Sequence, residues 1–168
     1  DGKTGLKLIV NEETAWRDHQ LNALLKEPGI EPYIDIAGAH SYGTNFPERT
    51  FDFAREKGKR VWQTEFYNKG NEGHKSDTIG YGLLIGRIMH NFMVNNDVNA
   101  YMYWWMASPE NKNSQSLIDM IDDNKDFAIM KQGYAVGHFA RFVRPGWYRV
   151  GVNNPFPDLG QGVTSPAK

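Results

Sequence analysis

The feature that most constrains this 168-residue chain is a fourfold alternation between a short apolar segment and an amphipathic helical segment. The segments of strand length are 6–10, 33–40, 59–66 and 99–106, and the helical ones are 16–25, 49–57, 77–95 and 128–143. Strands that alternate with helices pair in parallel, since each helix returns the chain to the same edge of the sheet. The pattern predicts an α/β fold, either an open doubly wound sheet or a piece of a (β/α)8 barrel.

Composition and motifs exclude several classes of function. The chain has 19 Lys and Arg against 20 Asp and Glu, without a basic patch suited to a phosphate backbone, so we expect no nucleic-acid partner. It has no apolar run long enough to span a bilayer, and no membrane partner is expected. Aromatic residues make up 13% of the chain, which suits a packed core and also a surface on which sugars or bases stack.

Cofactor and metal signatures are missing from the sequence. No GxGxxG follows a predicted strand, which argues against a nucleotide enzyme with a doubly wound sheet. Cysteine is absent, there is no HExxH, and the acidic run DMIDDNKD lacks the glycine of a calcium loop. The sequence therefore predicts neither a cofactor nor a metal.

Polar and aromatic side chains collect where the predicted strands end, which is typical of the mouth of an active barrel. They are Glu12, Glu13, His40, Tyr42, Glu65, Tyr67 and Trp104. Glu65 lies among aromatic residues in VWQTEFY, although glutamate is among the residues least often buried without a partner. A surface glutamate just past a strand is the simpler interpretation of this position, and a nucleophile or base is the functional one.

Four stretches, VWQTEFY, AGAHSYG, NAYMYWW and KQGYAVGHFARFVRPGWYRV, resemble glycoside hydrolase family 30. This family of clan A contains retaining xylanases and glucosylceramidase-like enzymes. The resemblance covers nearly all of the chain and implies the C-terminal half of a (β/α)8 barrel, strands five to eight, in residues 1–146. Residues 147–168 would begin a β-rich side domain. The N-terminal half of the barrel would then come from the same protein or from a second chain.

The resemblance also implies roles for individual residues. Glu65 matches the nucleophile of the family, and His40, Tyr42, Tyr67 and Trp104 match residues that bind the sugar. The alternatives are a buried, hydrogen-bonded histidine at position 40 and simple packing of Tyr67.

A retaining glycosidase needs a second carboxyl group as acid/base. Asn11-Glu12 imitates the Asn-Glu pair that ends strand four in this clan. Only one predicted strand separates Glu12 from Glu65, however, whereas a barrel has two strands between strands four and seven. Glu12 is therefore expected to end strand five, and the acid/base to lie upstream of Asp1. The chain alone would then be inactive.

The resemblance implies a secreted enzyme that acts on plant cell-wall polysaccharide, although Asp-Gly-Lys-Thr-Gly at the start of the sequence is not a signal peptide. An endo-β-1,4-xylanase is expected. Glucuronoxylan-specific members have an arginine after the strand-eight tryptophans, whereas this chain has Met106 to Glu110 without one. A β-1,6-glucanase, a glucosylceramidase-like enzyme and a non-catalytic carbohydrate-binding half-barrel are the alternatives.

Overall fold

The computed structural model describes residues 5–68, 78–109 and 115–150. The strands are β1 (Ile9–Glu13), β2 (Ile36–His40), β3 (Arg60–Glu65), β4 (Ala100–Tyr101), β5 (Ala107–Pro109), β6 (Ile118–Ile121) and β7 (Asp126–Ile129). The helices are α1 (His19–Lys26), α2 (Asp52–Glu56), α3 (Ile79–Val94) and α4 (Lys131–Phe142), with a 3-10 turn at Glu31–Tyr33. All four predicted helices are present, each shorter than its sequence pattern.

The first four strands form one parallel sheet in the order β1-β2-β3-β4. This confirms the predicted α/β fold with neighbouring parallel strands. The fourth strand is shorter than expected, because only Ala100 and Tyr101 pair with β3 and the rest of 99–106 leaves the sheet. The predicted side domain, 147–168, lies outside the described residues from 151 onward and stays a prediction.

A second sheet, which the sequence pattern did not predict, is formed by strands that lie between residues 107 and 129. Strands β5 and β6 are parallel, and β6 pairs with β7 in an antiparallel hairpin. The hairpin turn places Asp122, Asp123 and Asn124 at φ values of 49°, 53° and 66°. Asp and Asn tolerate this left-handed conformation better than other non-glycine residues, so a polar tetrapeptide is suited to this turn.

The helices cover one face of the parallel sheet. Ala37 and Ala39 of β2 and Val61 of β3 belong to the same buried cluster as residues of α1, α2 and α3. Because side chains alternate along a strand, Gly38, His40 and Trp62 must face the opposite side. That side is less covered, and Met102 and Trp104, which follow β4, are 40% and 39% exposed.

A buried aromatic cluster joins the helices below the sheet. The Trp16 ring meets Phe51 and Phe92 edge-on, with centroids 4.8 and 4.9 Å away. The indole Nε1 donates to Oδ1 of Asn96 at 2.8 Å, and Nδ2 of Asn96 donates to the Pro47 carbonyl at 3.1 Å. The polar groups of this core are therefore paired, as burial requires.

Helix α3 begins later than expected. The sequence pattern predicted a start at residue 77, whereas the N-cap is Thr78, whose side chain accepts from the Tyr81 amide at 3.3 Å. No helix in the described ranges is long and apolar enough to cross a membrane.

Helix α3 approaches α4 most closely at a glycine. A Cβ atom added to Gly82 would lie 2.9 Å from the Lys131 carbonyl oxygen, whereas one added to Gly86 would meet Ala135 at an ordinary 4.0 Å. A backbone atom cannot move aside as the end of a long side chain can. Gly82 is therefore needed for the packing of these two helices.

We expect Gly82→Ala to lower the free energy of unfolding by about 1–3 kcal/mol, because the added methyl group overpacks the contact. Gly86→Ala, one helical turn away, should be neutral or stabilise by about 0.5–1 kcal/mol through helix propensity. Denaturant-induced unfolding of the two variants measures the difference. Equal effects would contradict the close contact between α3 and α4.

Candidate active site

Glu65 is the last residue of β3, and an irregularity in the sheet decides where its side chain points. Gln63 is completely buried, so strict alternation would send Glu65 toward the same side. The register between β2 and β3 shifts, however: Gln63 pairs with Ala39 and Glu65 pairs with His40, which leaves Thr64 without a partner residue. This β-bulge turns the Glu65 carboxylate toward His40.

Tyr42 holds the Glu65 carboxylate. Its hydroxyl donates to Oε1 of Glu65 at 3.0 Å. Burial raises the pKa of Tyr42, and the hydrogen bond to Glu65 and the charge of that carboxylate raise the pKa further. The phenol is therefore a neutral donor to the Glu65 side chain at physiological pH.

His40 lies between two carboxylates. Its Nδ1 is 3.7 Å from Oε1 of Glu65, and its Nε2 is 3.6 Å from Oε2 of Glu12. The Tyr42 ring contacts the imidazole edge-on, at a centroid distance of 5.9 Å. The side chain of His40 is only 19% exposed, so these groups form most of its surroundings.

Glu12 reaches the same cluster from β1. Asn11 and Glu12 have φ values of 92° and 46°, and the pairing of β1 with β2 shifts between Asn11 and Glu13. The carboxylate lies across β2 and accepts from Oγ1 of Thr64 on β3 at 2.9 Å. The bulge thus brings Glu12 into the group formed by His40 and Glu65.

Two residues with a part in this arrangement were not predicted, Gly38 and Thr64. A Cβ atom on Gly38 would lie 2.0 Å from Oε1 of Glu12, so only glycine leaves room for the carboxylate above β2. A glycine inside a strand pattern signals a close approach of other atoms, and IAGAH contained that signal. Thr64 gave no comparable signal, since threonine is common in strands.

Two of the aromatic residues predicted to bind a sugar, Tyr67 and Trp104, lie at the edge of this cluster. Tyr67 packs edge-on against Tyr42, at 5.4 Å between centroids, whereas the hydroxyl that donates to Glu65 is that of Tyr42. The Trp104 amide donates to the Phe66 carbonyl at 2.9 Å, which places Trp104 beside the end of β3. Its ring is 39% exposed and meets the Trp105 ring at 61° and 5.2 Å.

The described residues contain no group of three or more His, Asp or Glu side chains arranged to hold a metal ion. The cluster can instead supply a carboxylate, a neutral phenol donor and an imidazole at the carboxyl ends of parallel strands. These are the groups needed for nucleophilic or acid/base catalysis on a neutral substrate.

Known proteins that are similar in sequence and fold are named as xylanases. The chain is 29% identical over 161 residues to glucuronoxylanase XynC of Bacillus subtilis, covering 94% of this chain and 36% of that protein. The structure resembles the family 30 subfamily 8 xylanase Xyn30A of Clostridium acetobutylicum, with a TM-score of 0.67, 28% identity, and coverage of 84% of this chain and 32% of that chain. It also resembles a family 30 endoxylanase of Clostridium papyrosolvens C71, with a TM-score of 0.71, 26% identity, and coverage of 92% and 36%. No family model matches the sequence.

The proteins that this chain resembles in sequence and fold are glycoside hydrolases. Within that class, the chain is similar in sequence and fold to the C-terminal part of family 30 xylanases. It spans about a third of the length of the relatives that it matches.

We expect Tyr42 to stay protonated in the folded protein when the pH rises past about 10, the ordinary pKa of tyrosine. Because the folded-state pKa is raised, the stability contributed by the neutral phenol is fully present below that pH. It is lost as the pH rises through the folded-state pKa. Alkaline titration of tyrosinate absorbance, as the difference between wild type and Tyr42→Phe, should show no ionisation of Tyr42 before unfolding. A titration midpoint near the ordinary value in folded protein would contradict the hydrogen bond to Glu65.

Proposed function

We propose that this chain supplies the nucleophile of a retaining β-glycoside hydrolase that acts on xylan as an endo-β-1,4-xylanase. The carboxylate of Glu65, held by Tyr42 at 3.0 Å where β3 ends, is the observation that carries the proposal. Relatives that are named as xylanases support the choice of substrate class. Action on cell-wall polysaccharide outside the cell is part of the same proposal.

The proposed chemistry follows from the contacts of Glu65. Tyr42 donates to Oε1, and His40 also approaches Oε1, so Oε2 is the oxygen best placed to attack. Attack of Oε2 on the anomeric carbon forms a glycosyl-enzyme ester, while the leaving sugar takes a proton from an acid. Water, deprotonated by the same acid/base residue, then breaks the ester, and the product keeps its original configuration.

The acid/base is proposed to come from outside this chain. One strand, β2, separates the strand that bears Glu12 from the strand that bears Glu65. The Glu12 carboxylate is engaged with Thr64 and faces the opposite ring nitrogen of His40 from the one near Glu65. We therefore take β1–β4 as strands five to eight of a barrel, whose earlier strands would cover the open face and supply the acid. The chain by itself would be inactive.

Sugar binding is assigned to exposed aromatic surface near Glu65. Sugars are neutral, and they bind to proteins through stacking on aromatic rings and through hydrogen bonds. Trp104 offers an exposed ring next to the end of β3, and Tyr67 lies beside Tyr42.

The substrate is proposed to be xylan without a required glucuronic acid branch. A negatively charged branch needs a cation, and residues 106–109 and 115–129 contain one, Lys125. The same residues contain four carboxylates, Asp119, Asp122, Asp123 and Asp126. This surface after β4 favours a neutral polysaccharide.

Glu65→Gln in the full-length protein should abolish hydrolysis, by roughly 10⁴-fold or more in kcat, since the amide cannot form the glycosyl-enzyme. Folding and sugar binding should stay nearly intact because the substitution is isosteric. Steady-state kinetics on xylan and on aryl glycosides of xylo-oligosaccharides measure the loss. Glu56→Gln, a change of the same kind at an exposed residue of α2, is the control and should retain activity.

A variant with a smaller side chain at position 65 tests whether Glu65 acts as the nucleophile. In Glu65→Gly, azide should enter the vacated space and attack an activated substrate from the same face, which gives the glycosyl azide of inverted configuration. Glu65→Gln should be rescued poorly, since its amide fills that space. If Glu65→Gln kept most of its activity, Glu65 would be only a strand-end glutamate. If the wild type bound xylan without cleaving any β-glycoside, the carbohydrate-binding alternative would replace the enzyme.

We expect the full-length protein to cleave glucuronoxylan and the same polymer stripped of glucuronic acid at initial rates within about fivefold, a difference below about 1 kcal/mol. Reducing-sugar release from the two polymers measures the ratio. A hundredfold preference for the branched polymer would show that a cation outside the described residues binds the branch. Preferential cleavage of a β-1,6-glucan would indicate the other family activity.

A further inference from the structure

The Glu12 side chain takes a path that packing alone does not require. It leaves β1 at a bulge where two successive non-glycine residues have positive φ, crosses the face of β2 above Gly38, and ends at Thr64 on β3. Backbone conformations of this kind cost on the order of 1–3 kcal/mol each. They persist where the surrounding structure holds them, and they cluster at functional sites.

The Glu12 carboxylate lies on the side of the His40 ring that is opposite Glu65. The two ring nitrogens of His40 face two different carboxylates, Glu65 at 3.7 Å and Glu12 at 3.6 Å. These distances exceed those of hydrogen bonds, so the contacts in this structure are electrostatic. Contacts between catalytic groups are often long without substrate and shorten when substrate binds.

We propose that Glu12 is a positioning residue, which holds the His40 ring so that Nδ1 is directed at the nucleophile Glu65. This inference rests on the proposed function of Glu65. It differs from the acid/base role that the Asn11-Glu12 pair suggests, because Glu12 acts here through His40 and never touches the leaving group.

Three contacts fix Glu12 for this task. Oε1 accepts from Thr64, which is the bulged residue directly before Glu65, so one carboxylate oxygen is tied to the strand of the nucleophile. Oε2 faces His40 on β2. Gly38 leaves the space in which the carboxylate crosses. Glu12 therefore links the ends of three strands whose relative placement determines the geometry around Glu65.

The test is the kinetics of Glu12→Gln in the full-length protein, on aryl glycosides of a xylo-oligosaccharide with a good leaving group, dinitrophenol, and a poor one, phenol. The variant keeps an acceptor for Thr64 but loses the charge that faces His40. We expect kcat to fall roughly ten- to hundredfold, the range that a misplaced catalytic group produces. KM should change little, and the loss should be the same for both leaving groups, since positioning of the nucleophile matters equally to each.

A double-mutant cycle with His40→Gln tests whether Glu12 acts through His40. The double variant should be about as impaired as His40→Gln alone, because the route from Glu12 to Glu65 is already removed. Glu56→Gln, a change of the same kind at an exposed residue of α2, is the matched control, and its kcat should stay within about twofold of wild type.

Gly38→Ala provides a second variant in which Glu12 keeps its charge. The methyl group would lie 2.0 Å from Oε1 of Glu12 and 2.7 Å from Cγ2 of Ile9, so the carboxylate has to leave its place. We expect a loss in kcat similar to that of Glu12→Gln in protein that melts cooperatively.

Several results would overturn the proposal. A loss confined to the poor leaving group would identify Glu12 as the acid. A structural role only would be shown if the loss in kcat of Glu12→Gln added to that of His40→Gln. The same conclusion would follow if Thr64→Val reproduced the loss in kcat and also lowered the melting temperature. Full activity of Glu12→Gln beside an inactive Glu65→Gln would reject the role of Glu12 alone. An active Glu65→Gln would instead reject the proposed function itself.

Discussion

The candidate site depends on the small volume of the side chains on β2. Its sequence, IAGAH, presents Ala37 and Ala39 to the helix layer and Gly38 to the other face. The alanines let α-helices pack closely against the sheet, while the glycine lets a carboxylate from β1 lie over the strand at a distance that no Cβ would permit. Residues 37–39 of β2 thus have small side chains on both faces, and the side chain that β2 contributes to the candidate site is that of its last residue, His40.

The small side chains of β2 also let charged groups from β1 and β3 come close together, since no bulky apolar side chain lies between them. Glu12 and Glu65 stand at the ends of β1 and β3, and the imidazole of His40 lies between them. Two carboxylates near each other repel, and a cation or a set of hydrogen-bond donors between them offsets that repulsion. Tyr42 and Thr64 supply such donors, one to each carboxylate. Because the donors come from different elements, the two acids have different surroundings and can have different roles.

Sequence periodicity predicted the regular part of the structure and failed at the irregular part. A helix or strand that buries one face repeats its apolar side chains at its own characteristic period. The alternation of apolar segments predicted the strands, their parallel order and the helices. It did not predict the bulges at Glu12 and Thr64, since a bulge changes register without changing composition. It missed the sheet of β5, β6 and β7 because those strands are only three or four residues long. Resemblance to a family supplied what periodicity could not, the hypothesis that Glu65 is the nucleophile among several strand-end acids.

The charges on the hairpin of β6 and β7 argue against assigning the substrate of a named relative to this chain without change. The name glucuronoxylanase belongs to a protein that is 29% identical to this chain, and recognition of a charged branch rests on a few residues, which can change while the fold stays. A glucuronate next to four aspartates and one lysine would meet net repulsion, and salt screens such exposed charges only beyond about 8–10 Å. The exposed rings of Trp104 and Trp105, by contrast, interact with any pyranose face whatever its branch carries. A site that joined aromatic stacking to an acidic rim, as proposed here, would select for the sugar backbone and against anionic decoration, and this selection would require no change in the groups around Glu65.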